Sequence, residues 1–200
     1  MKVISYEEIK IREKALLEKY QNYKKMDAYK TIKRYMPWIH IVILIVSTVF
    51  AMKMPQTYME WLRDIREPLI LGKILAGLKA IGLIILVMVV MVPIHEVLHA
   101  IPLGIQECYM IMNLPKSISV YCDKWHSKKR DMISMICPFV FFTLIDVFFC
   151  ILSGMWYLGV FFMMINIATA STDIFMFFYI MRKVPKNSLV FGYYYVPNNS

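Results

Sequence analysis

Residues 81–100 read IGLIILVMVVMVPIHEVLHA, an apolar run from Ile81 to Ile94 that leads without a break into His95-Glu96-Val97-Leu98-His99. Residues four apart on a helix share a face, so His95 and His99 can offer two imidazoles to one metal ion. Glu96 then lies beside a metal-held water. Zinc draws the pKa of such a water toward about 7, where Glu96 can take its proton as general base. Pro93 falls within a turn of the motif and is expected to bend the helix there. Ionisable groups are costly at membrane depth, and three of them at the end of an apolar span call for a reason.

The rest of the chain fits a membrane reading. Its 200 residues are 59% hydrophobic with a mean hydropathy of +0.54, above the roughly 45–50% of soluble domains, and the excess lies in runs. Trp38 to Met52, residues 74–103, residues 132–152 and residues 155–181 are four such stretches, the last two joined by Ser153-Gly154. The expected fold is therefore an all-α membrane protein of about four transmembrane helices. Upstream, Ile4, Ile9, Ile11, Leu16, Leu17 and Tyr20 recur at helical spacing, which predicts an amphipathic helix on the membrane surface or on the domain itself. Ser117 to Cys122 alternates as a strand does, and Tyr58–Arg66 reads as a short helix. The organisation expected is an N-terminal segment over 1–36, a four-span domain over 37–184 and a tail over 185–200.

The formal charge of +9 sits beside apolar runs, where it would meet anionic lipid headgroups. No zinc-finger or RNP pattern accompanies it, so nucleic acid is not an expected partner. The N-terminal segment, the 104–131 loop and residues 182–200 carry 10, 5 and 3 basic residues, the 53–73 loop 4 and the 153–154 turn none. Lys and Arg favour the cytoplasmic side, which places both termini and the strand-bearing loop there. The first apolar run begins too late for a cleavable signal peptide. Cys108, Cys122, Cys137 and Cys150 form no CxxC pair and are expected to be unpaired thiols.

A catalytic zinc usually takes a third protein ligand. The metzincin pattern fails, because Pro102 and Ile105 stand where its Gly and His belong; a downstream helical Glu fails too, because Glu107 is the last Glu in the chain. Asp123, His126, Asp131, Asp146 and Asp173 remain. At a rise of about 1.5 Å per residue, His95 and His99 lie about 6–12 Å inside the cytoplasmic boundary, Asp173 about 13 Å and Asp146 about 21 Å. Depth selects Asp173; Asp123 and Asp131 read as solvated loop carboxylates, and His126 stays an alternative third ligand. Asn166 lies about 24 Å deep, near Asp146, so the two are expected either to hydrogen-bond across helices or to leave Asn166 on a substrate path. Ser171 and Thr172 flank Asp173 as donors or as small packing residues.

Pro93-Ile94-His95-Glu96-Val97-Leu98-His99-Ala100, then Pro138, Asn166, Ser171-Thr172-Asp173 and the Phe191-Gly192-Tyr193-Tyr194 ending, resemble a bacterial membrane family of zincin peptidases of unknown function, over roughly residues 75–196. More distantly the chain is similar to the site-two proteases, which cut peptide bonds within or near the membrane. That likeness implies Asp173 as third zinc ligand, although the Asn-Pro-Asp-Gly form and a PDZ segment are missing. The function implied is a membrane-embedded zinc metallopeptidase acting on a membrane-associated polypeptide. A non-proteolytic accessory or immunity-type protein with the same fold, and a small ion-coupled transporter, are the alternatives.

Overall fold

Secondary structure begins with a strand, not with the expected helix. In the computed structural model, which describes residues 1–20, 22–52, 69–113 and 117–197, the chain runs β1 (Lys2–Ile4), α1 (Tyr6–Glu18), β2 (Lys24–Lys25), α2 (Ala28–Met52), α3 (Leu69–Leu103), β3 (Cys108–Asn113), β4 (Ser117–Cys122), β5 (His126–Ser127), α4 (Lys128–Ser153), α5 (Trp156–Lys183), β6 (Leu189–Phe191) and β7 (Tyr194–Val196). The helix read at Tyr58–Arg66 lies outside the described residues.

The protein is mostly helical. Of the four expected spans, two meet the length and hydropathy of a membrane crossing among the described residues: Lys128–Ser153 and Leu158–Lys183. Val89–Leu103 is a shorter apolar stretch within α3. α4 turns Leu144, Phe148, Ile151 and Leu152 outward, each more than 60% exposed, an apolar surface suited to lipid. α4 starts four residues before the apolar run at 132, because capping decides the start. Ser127 caps α4 by accepting the Arg130 N–H at 3.3 Å, so the Lys128-Lys129-Arg130 cluster opens the helix instead of lying in a loop. At the other end Gly154 takes φ +68° and its N–H returns to the Cys150 carbonyl at 2.9 Å, a left-handed stop open to glycine. A Cβ on Gly159 would overlap the Cys150 sulfur; glycine lets α5 close on α4 there.

Two small sheets cap one end of the helices. One has the order β1-β3-β4, with β1 parallel to β3 and β3 antiparallel to β4; the other has the order β2-β7-β6-β5. The N-terminal amphipathic helix is thus interrupted. Ile4 belongs to β1, Ser5 caps α1 by accepting from Glu8 N–H, and Arg12 ties α1 to the hairpin through Asp123 and the Tyr109 hydroxyl. Met26 and Ala28 pack with Met176, Ile180, Val184 and Val190, so the N-terminal segment, α5 and the tail share one core.

The expectation of four free thiols fails for Cys108 and Cys122, which form a disulfide. Hairpin register explains it. Cys108 stands opposite Cys122, with Cα atoms 4.1 Å apart, the short spacing of a non-hydrogen-bonded antiparallel pair. Cys137 and Cys150 are free. With Ala100 and Leu103, the paired cysteines form the buried cluster that seats the hairpin on the last turns of α3.

Candidate metal centre

Those last turns carry the motif. α3 continues through Pro93 and Pro102 to Leu103, and on it the His95 and His99 rings lie 4.9 Å apart, edge to face. His95 is buried and parallel to the Phe142 ring of α4, at 6.5 Å. α5 brings in Asp173, whose Oδ2 stands 2.9 Å from His95 Nε2 and 3.4 Å from His99 Nε2. One ligand atom from each of the three residues lies within 4.8 Å of the others.

The far side of His99 fixes what its near side offers. His99 Nδ1 donates to the Ser134 carbonyl at 2.9 Å, and Ser134 Oγ donates back to the His99 carbonyl at 2.7 Å. The Ser134 carbonyl is available because its usual helical donor, four residues on, is Pro138, which has no N–H. With the proton on Nδ1, a neutral His99 presents a lone pair at Nε2. That lone pair faces the Asp173 carboxylate. Two electron-rich atoms converging in a buried site fit a cation between them, and two imidazoles with a carboxylate are a donor set that suits zinc.

Glu96 follows His95 into a cavity of about 270 Å³ lined also by Met91, Val92, Phe142, Thr169, Thr172 and Asp173. The Val120 N–H on β4 is turned toward its carboxylate. Asp123 N–H bonds the Glu107 carbonyl at 3.3 Å; ladder alternation then makes Cys108–Cys122 and Met110–Val120 non-hydrogen-bonded pairs, with the backbone groups of Val120 and Cys122 pointing away from β3. β4 is an edge of its sheet among the described residues, so these groups face the side of the metal centre.

A family model described as "putative zincin peptidase" matches residues 88–189, half of the chain. The chain belongs to that family. Comparisons with curated proteins and with solved structures give no match. The matched stretch runs from inside α3 to the start of β6 and contains the entire candidate centre; the N-terminal segment and α2 lie outside it.

Within this zincin peptidase family member, the remaining expected residues separate. Asn166 is fully buried between α4 and α5 but does not pair with Asp146: its amide donates to the Phe139 carbonyl and to Thr143 Oγ1, each at 3.1 Å. Asp146 is buried farther along α4. The Ser171 hydroxyl donates to the Ala168 carbonyl at 2.9 Å, a bond within its own helix. Asp123 is held by Arg12. His126 lies on β5, and neither it nor Asp131 is in the metal-ligand group; Asp131, expected to be solvated, is buried. The reading from sequence missed Ser134, Phe142 and Val120. Only the first left a trace, a proline four residues after a carbonyl in an apolar run.

Proposed function

We propose that the protein is a zinc metallopeptidase that hydrolyses a membrane-associated polypeptide within or next to the bilayer. His95, His99 and Asp173 would hold the ion. One observation carries the reading: His99 donates from Nδ1 to the Ser134 carbonyl, and its Nε2 lies 3.4 Å from Asp173 Oδ2, which is itself 2.9 Å from His95 Nε2, beside the Glu96 cavity. When bound, zinc supplies Lewis acidity, acidifying water and polarising a peptide carbonyl.

The chain's own groups do the rest. Glu96 takes the proton of the attacking water and can return it to the leaving amine. Thr169 and Thr172 give the cavity hydroxyls, and Phe142 makes one wall apolar, which limits water. The outward N–H and C=O groups of Val120 and Cys122 can pair with an extended substrate segment. Asn166 braces α4 against α5 and so holds Asp173 at the level of the histidines. In the membrane we infer four spans, adding α2 and α3 to α4 and α5. The exposed apolar residues Trp38, Ile41, Val42 and Ile45 on α2 support this, and the basic-residue counts put both termini and the hairpin on the cytoplasmic side, against the lipid headgroups.

Glu96→Gln tests the chemistry. It keeps size and hydrogen bonding but accepts no proton, so it is expected to bind zinc and fold while losing at least about a hundredfold in rate. Membrane-fragment proteomics of wild-type, Glu96→Gln, His95→Ala and deletion strains reads this in cells. Fragment profiles altered alike by Glu96→Gln and His95→Ala are the expected result; identical profiles across all strains and growth conditions would refute proteolysis.

A further inference from the structure

A second cavity, of about 370 Å³, lies on the other side of Val120. Its walls are the outward edge of β4 (Val120 to Cys122), the tail turn at Phe191–Tyr194, and Glu13 and Lys25 of the N-terminal segment. His126 and Asp131 line it as well, 5% and 4% exposed, and His126 Nε2 and Asp131 Oδ2 have no hydrogen-bond partner among the described residues. Burial holds the His126 imidazole below its ordinary pKa, with Arg130 adding to the effect, so it offers a neutral nitrogen at pH 7. A buried carboxylate without a counter-charge is costly.

Among the described residues each nearby cation already has a partner, although Lys25 and Lys124 themselves line the cavity. Lys124 pairs with Glu107, and Arg130 donates to the Pro102 carbonyl. Lys128 donates to the carbonyls of Met181 and Val184 at 3.0 and 2.7 Å. Lys25 lies over the Tyr194 ring, and Arg12 is bound to Glu8 and Asp123. The acid side is less used: Glu13 meets the Tyr194 hydroxyl, and Asp131 meets no cation. A pocket lined by a carboxylate oxygen lacking its donor and by the outward edge of β4 is complementary to an extended peptide carrying a positively charged side chain.

We propose that this cavity is a specificity pocket for a Lys or Arg side chain of the polypeptide, a fixed number of residues from the bond that is cut. The inference rests on the peptidase reading, with Asp131 as the acceptor of the basic group, His126 as a second hydrogen-bond partner and Val120–Cys122 as the strand that sets the register.

The test uses the full-length, zinc-loaded protein in detergent and a randomised peptide library. Cleavage sites are read by mass spectrometry for wild type and Asp131→Asn, with Glu96→Gln as the background. The same library is then selected for binding to Glu96→Gln, with and without Asp131→Asn. Zinc content and melting temperature report that each variant is folded. We expect Lys and Arg enriched about tenfold or more at one position relative to the cut, the scale of a charge-assisted hydrogen bond, and lost in Asp131→Asn. Cleavage dependent on Glu96 but without that preference, or with a preference that survives Asp131→Asn, overturns the pocket and leaves the peptidase standing. Basic peptides retained through Asp131 without any Glu96-dependent cleavage keep the pocket and overturn the peptidase. Neither binding nor cleavage overturns both.

Discussion

Replacing Pro138 with alanine separates the fold from the metal site. The substitution supplies an N–H one turn beyond Ser134, aimed at the carbonyl that now accepts from His99 Nδ1 at 2.9 Å. A carbonyl oxygen has two lone pairs and can accept from both donors, so His99 keeps a weakened bond. Complete loss of such an outer partner typically lowers metal affinity about 10–100-fold; sharing it should lower zinc affinity about three- to tenfold. Stability moves little. The new helical hydrogen bond contributes about 1 kcal/mol. Pro138 is fully buried, so losing two ring carbons costs about 0.8 kcal/mol each, and the net change stays within about 1 kcal/mol. Chelator competition on the detergent-solubilised protein gives the affinity, and thermal unfolding of the metal-free protein gives the stability. A zinc affinity within twofold of wild type, in a protein that melts normally, would refute the claim that Pro138 frees Ser134 for His99.

Asp173→Ala is expected to lose zinc by more than about a hundredfold, whereas His126→Ala keeps it; zinc content after dialysis against buffered metal decides, and the reverse outcome would move the third ligand to β5. Reporter fusions after residues 62, 120 and 195 should read external, cytoplasmic and cytoplasmic, and an external reading at 120 would overturn the orientation. Cytoplasmic thiols are kept reduced, so in that orientation Cys108 and Cys122 should be alkylated in growing cells and protected only after oxidant treatment. Constant protection would argue that the hairpin faces an oxidising compartment.

The part of the site legible in the sequence rests on rigid arithmetic. His95, Glu96 and His99 are fixed by helical spacing alone. Asp173 could be ranked by depth because α4 and α5 are joined by a tight turn at Gly154, which holds the two helices antiparallel. The same arithmetic failed for Asn166. It counted each helix from its cytoplasmic end, whereas the turn at Gly154 sets the levels of the two. Asp146 is eight residues from that turn and Asn166 twelve, a difference of about 6 Å, one turn. Thr143, eleven residues from the turn, is therefore level with Asn166 and takes its hydrogen bond, while the Asp146 carbonyl lies near Gly159. Among the strands only β4, long enough to alternate over Ser117–Cys122, was read from the sequence. Segments of two or three residues carry no period, and the facing of Cys108 with Cys122 exists only once β3 and β4 are paired in register.

Pro138 joins the two scales. A proline in an apolar helix leaves a carbonyl without its donor, and in a medium without water that orphan is costly unless a neighbour supplies an N–H. Here the neighbour is His99 on α3. The bond that satisfies the carbonyl also settles which nitrogen of His99 carries the proton, and hence which one faces Asp173. The requirement of the fold and the requirement of the metal site are met by one hydrogen bond. It joins α3 to α4 through backbone on one side and a side chain of the candidate metal centre on the other. Asn166 holds α5 to α4 independently, through the Phe139 carbonyl and Thr143, so loosening the His99–Ser134 bond leaves Asp173 in place, which is why affinity and stability can part in the Pro138→Ala protein.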